Sequence, residues 1–77
     1  MSKAELELAR QRISHYLWFA RRYRDDAAEE QYNAEEALRT TDPDMEKIHR
    51  EGAASAIRIA HLYDQEAERL RRAFAEN

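Results

Sequence analysis

Cysteine is absent from this chain, so neither a disulfide framework nor a thiolate zinc site is available to hold it together. One glycine and one proline in 77 residues leave too little turn punctuation for a sheet or for several domains. β-Branched residues are few, while fourteen Ala and eleven Arg, with many Glu, favour helix. Long apolar runs are missing too. The longest, Tyr16 to Ala20, is far short of the roughly 20 residues that span a bilayer, and the N-terminus lacks a secretory layout. No Gly-rich loop is present to cradle nucleotide phosphates. No Ser is placed with a His and an acid, since the adjacent Ser14 and His15 diverge on a helix. The expectation is a single all-α domain over residues 1–77, cytoplasmic, with no cofactor.

What is present is helical periodicity. Ser2-Lys3-Ala4-Glu5 reads as a capping box opening a first helix over about 3–40. Leu6, Ala9, Ile13, Tyr16, Ala20, Tyr23, Ala27, Glu30, Ala34 and Ala37 then follow spacings of 3 and 4 without a break, a heptad seam. The break falls at Thr40-Thr41-Asp42-Pro43. Pro43 biases Asp42 out of helical dihedrals, Asp42 is a good N-cap, and Pro43 suits the first helical position. A turn at 41–42 and a second helix over about 43–75 follow. In that helix Met45, Ile48, Gly52, Ala56, Ile59, Tyr63, Ala67, Leu70 and Phe74 repeat every eleven residues, which predicts one buried face on a nearly straight helix.

Folding back at the turn pairs positions whose numbers sum to about 83. Large residues meet small ones along much of the seam, where Tyr16 faces Ala67, Ala20 faces Tyr63 and Tyr23 faces Ala60, while Ala27 faces Ala56 and Ile13 faces Leu70. The unit is an antiparallel hairpin about 50 Å long. Such a hairpin has no interior, and Leu8, Leu17, Trp18, Phe19, Ile57 and Leu62 remain off the seam. Two hairpins related by a two-fold axis, forming a four-helix bundle, are the simplest way to cover them. Its waist is expected near Ala27, Ala28, Gly52, Ala53 and Ala56. Ile13, Tyr16, Ala20, Tyr23, Ala56, Ile59, Tyr63 and Leu70 are the expected seam and dimer residues.

The charges are segregated. Residues 10–24 hold five Arg and no acid, while residues 25–46 hold nine acids and only Arg39. Arg69, Arg71 and Arg72 return beside Arg10 and Arg12, so the open end is basic and the turn end acidic. The open end has the charge to touch phosphate, but the chain is net acidic and Asp64, Glu66 and Glu68 are interleaved as helix-surface ion pairs, so nucleic acid is not the expected partner. His15, Trp18, Arg21, Arg22 and Tyr32 lie on the outer side of helix 1. Exposed aromatics beside Arg have the composition of a protein-binding hot spot, or of the dimer interface itself.

Glu46-Lys47-Ile48-His49 is an E-x-x-H, and Glu30 occupies the helix 1 seam. Doubled by a two-fold axis, the three residues resemble the ligand set of ferritin-like di-metal bundles, which implies Glu30, Glu46 and His49 as an alternative metal site. Helix geometry sets Glu46 about 115° from the centre of the eleven-residue stripe and Glu30 level with residue 53. The competing expectation makes Glu46 a first-turn acid favoured by the helix dipole, His49 a flank residue, and Glu30 a polar group that fixes register or reaches an Arg. Taken together, the residues predict a small non-enzymatic interaction module, a homodimeric adaptor or inhibitor that binds a larger protein. Small inhibitors encoded by phages and mobile elements, and bacterial regulatory adaptors, share this build, an analogy of fold alone.

Overall fold

The computed structural model describes residues 2–75, which form two helices, α1 (Lys3–Arg39) and α2 (Pro43–Ala75), packed as an antiparallel hairpin. The Ser2 hydroxyl accepts the Glu5 backbone N–H at 3.1 Å and starts α1. At the other end Asp42 N–H donates to the Ala37 carbonyl at 2.8 Å and Thr41 N–H to Leu38 at 3.2 Å. This 6→1 and 5→2 pair is a Schellman closure, and it places Thr41 at φ 59°, the left-handed region usually given to Gly. The carboxylate of Asp42 then accepts the Met45 backbone N–H at 3.2 Å and caps α2. The Cα trace is 58 × 15 × 12 Å, a rod one helix pair wide.

On α1 the ten seam positions from Leu6 to Ala37 are all buried or half-buried, as their 3,4 spacing requires. The eleven-residue stripe on α2 is the buried one only in part: Gly52, Ala56, Tyr63, Ala67, Leu70 and Phe74 are covered, while Met45, Ile48 and Ile59 are exposed. The stripe covered along its whole length is Glu46, His49, Ala53, Ala56, Ala60, Tyr63, Ala67, Leu70 and Phe74. This inner stripe has the heptad spacing of α1. A heptad seam demands a heptad partner, and a 3.67-residue repeat drifts off that seam over three turns. Ile59 therefore lies beside the seam rather than in it, and Glu46 and His49, expected on a flank, lie within it.

Every fully buried apolar residue is an alanine: Ala9, Ala20, Ala27, Ala34, Ala37, Ala53, Ala56, Ala60 and Ala67. Small side chains let two helices approach closely and interlock with the few large ones. Tyr63 is the clearest case. Its ring lies 5.9 Å from Tyr16, 5.2 Å from Phe19 and 5.9 Å from Tyr23, centroid to centroid. With Ala20, fully shielded from solvent, these are the i, i+3, i+4, i+7 positions of a coiled-coil hole. Nearer the turn, Ala27, Ala53 and Ala56 cluster with Tyr23 against them. On the flank, Arg24 Nη1 donates to Asp64 at 2.6 Å and ties α1 to α2 beside the seam.

Candidate interaction surface

The seam contains one polar contact. His49 Nδ1 lies 2.7 Å from Glu30 Oε2, and because a carboxylate only accepts, Nδ1 carries the proton. Gly52 makes room for this pair: a Cβ built there would meet Glu30 Oε2 at 2.9 Å. The single glycine is thus placed by close approach, here of a side chain. Glu46, the third member of the E-x-x-H set, is held by Arg50 Nε at 2.8 Å. Glu30 and His49 are brought together and Glu46 is turned to a different partner. No group of three His, Asp or Glu able to hold a metal occurs among the described residues.

Helix geometry also sorts the outer aromatic face. Trp18 is 58% exposed and packs edge-on against Phe19 at 5.2 Å, with the rest of its ring in solvent. His15, Arg21 and Arg22 are exposed around it, and neither Arg joins an ion pair among the described residues. Tyr32 is exposed as well, but two heptads along the axis place it roughly 21 Å away. The His15, Trp18, Arg21 and Arg22 cluster is one patch, and Tyr32 stands apart from it.

On the α2 side of the basic open end the arginines are paired with acids of their own helix. Arg71 and Arg72 reach Glu68 at 3.4 and 3.2 Å, and Arg69 grips Glu66. That hydrogen bond to Arg69 holds the Glu66 carboxyl below its usual range, against an opposing desolvation, and raises Arg69 in turn. A depressed acid stabilises the fold above its ordinary pKa and loses that contribution as pH falls through the lowered value, and for so exposed a pair the effect is small.

A second surface was not picked out by the sequence reading. Met45, Ile48, Gly52, Ser55, Ile59 and Leu62 sit one residue ahead of Glu46, His49, Ala53, Ala56, Ala60 and Tyr63. They form a second heptad stripe beside the seam, rotated from it by about 100°. Its aliphatics are exposed, Ile48 at 56% and Leu62 at 62%. The signal for it was these doublets, 45/46 through 62/63, in which an outer and an inner 3,4 series run side by side. The eleven-residue repeat crosses from the outer series at Met45, Ile48 and Gly52 to the inner one at Tyr63, Ala67 and Leu70.

The concavities along the hairpin are open grooves, such as that lined by Ile57, Arg58, His61 and Leu62. What these surfaces offer chemically is recognition: apolar area, aromatic edges and guanidinium groups. No helix among the described residues is long and apolar enough to cross a membrane. Comparison of the chain with protein-family models, curated proteins and solved structures gives no match.

Proposed function

We propose that this chain is a small non-enzymatic interaction module. Two hairpins associate into a four-helix bundle, and the bundle presents the His15, Trp18, Arg21 and Arg22 patch, with Tyr32 beyond it, to a larger protein partner. The observation that carries the reading is the inversion of the usual burial order. Alanines fill the fully buried positions and the larger seam residues are only half-buried, while Trp18, Ile48, Ile57 and Leu62 face solvent. A free hairpin of this kind removes little apolar surface from water, and chains this short gain stability by acquiring neighbours. Trp and Arg on an exposed patch are the residue types that dominate association energies.

The test uses one substitution with two readouts. Trp18→Ala is expected to abolish capture of the protein partner while leaving helicity and dimer mass unchanged, because truncating an aromatic hot spot costs roughly 2 to 4 kcal/mol of association energy. Release of monomers by the same change would assign the patch to the dimer instead. No effect on either readout would remove Trp18 from both roles and point to the acidic turn around Asp42, Asp44 and Glu46.

A further inference from the structure

The outer stripe of α2 has a property that its apolar character alone does not require. Its positions, 45, 48, 52, 55, 59 and 62, are spaced 3, 4, 3, 4, 3, and so read the same in both directions. The residues do likewise: Met45 and Leu62 at the ends, Ile48 and Ile59 inside them, Gly52 and Ser55 at the centre. A contact between identical surfaces across a two-fold axis needs this symmetry, because residue i meets j and j meets i.

We infer that the outer stripe is the contact between two copies of this chain, with the α2 helices antiparallel about a two-fold axis between Gly52 and Ser55. Met45 then faces Leu62 of the second copy, Ile48 faces Ile59, and Gly52 faces Ser55. The inference rests on the dimeric reading above and gives it an interface and a register. Small residues at the centre set the point of closest approach, and the helices diverge toward the larger aliphatics at either end. Facing residues sum to 107, so residues 43–64 overlap their counterparts over roughly 33 Å.

The charges beside the stripe choose the direction. Glu51 and Arg58 lie on its outer flank, exposed, and neither joins an ion pair among the described residues. Arg58 donates only to Ser55 Oγ, at 3.0 Å. In the antiparallel register each Glu51 comes level with Ala56 of the other copy and within two residues, about 3 Å along the axis, of its Arg58, on both sides of the two-fold. A parallel pairing in register sets Glu51 beside Glu51 and Arg58 beside Arg58, which repels. A shift of one residue between inner and outer stripes gives α2 two neighbours about 100° apart, close to the square arrangement of a four-helix bundle. The contact runs along α2, which leaves the Trp18 patch of α1 outside it.

The chain lacks cysteine, so disulfide trapping tests the register directly. Ile48→Cys combined with Ile59→Cys is expected to give a covalent dimer on mild oxidation. The two cysteines of one chain are eleven residues apart, about 16 Å, and cannot close on each other. Either single variant leaves each thiol about 16 Å from its own copy and is expected to stay uncrosslinked. Wild-type mass by light scattering is measured alongside. A wild-type dimer in which the double variant fails to crosslink, or in which Ile48→Cys alone does crosslink, overturns this interface but keeps the dimer. A wild-type monomer overturns both. A surface test that leaves the hairpin core untouched complements these: Glu51→Arg should weaken the dimer roughly fivefold to tenfold, and adding Arg58→Glu should restore it. An unchanged dissociation constant in the single charge variant also overturns the register.

Discussion

The inner stripe of α2 buries four alanines, half-buries Tyr63, Leu70 and Phe74, and places Glu46 and His49 against α1, whereas the outer stripe leaves Met45, Ile48, Ile59 and Leu62 in solvent. The two run side by side with the same spacing. Burying an alanine methyl is worth about 0.8 kcal/mol, and burying a Leu or Ile side chain about 1.5 to 3. Residue for residue, the aliphatics left in solvent therefore hold more unused hydrophobic stabilisation than the buried alanines supply. On this view the hairpin seam sets geometry, through close approach, the Tyr63 knob and the Glu30–His49 contact, and the second stripe adds stability when two copies meet.

Substitutions that act on one stripe and spare the other can break this division. Replacing Ile59 and Leu62 together by Asp has the largest expected effect: loss of the dimer at micromolar concentration, more than a hundredfold in dissociation constant, since two aliphatics are exchanged for charges that resist burial. Sedimentation and circular dichroism check it, and an unaltered mass would show that the outer stripe covers nothing. Next comes the inner stripe, where Ala20→Leu puts a branched side chain into a fully shielded position beneath Tyr63. A loss of about 1 to 3 kcal/mol in urea unfolding is expected from overpacking.

Smaller effects sharpen the comparison. Thr41→Gly relieves a β-branched residue at φ 59° and should raise stability by about 1 kcal/mol without changing the dimer dissociation constant, because the turn belongs to the hairpin alone. Gly52 lies where the two stripes meet. Gly52→Ala gains helix propensity of up to about 1 kcal/mol, but the new methyl displaces the Glu30 carboxylate from His49. Within the hairpin the gain should emerge only in a Glu30→Ala background, measured by a double-mutant cycle in chemical denaturation below the concentration at which two copies associate, because the same methyl also enters the proposed contact between α2 helices.

Much of the hairpin was legible because local rules agree there. The Ser2 and Asp42 caps, the heptad seam of α1 and the facing of Ala20 with Tyr63 all follow from short patterns with single physical readings. The seam of α2 was misread for a definite reason. Its first four positions, Glu46, His49, Ala53 and Ala56, are all polar or small, and the strongest apolar residues nearby, Met45, Ile48 and Ile59, belong to the outer stripe. Nothing in Glu46-Lys47-Ile48-His49 says that His49 will meet Glu30 while Glu46 turns to Arg50, since both outcomes suit the same spacing. The left-handed Thr41 was likewise hidden, because Gly rather than Thr usually marks that position.

The central claim is that the hairpin is half of a structure, and the most direct measurement is the mass and melting temperature of the wild-type chain across a hundredfold range of concentration. A particle of twice the 9.2 kDa chain mass, dissociating on dilution, with a melting temperature that rises with concentration, is the predicted result. A constant 9.2 kDa particle with a concentration-independent melt would contradict it.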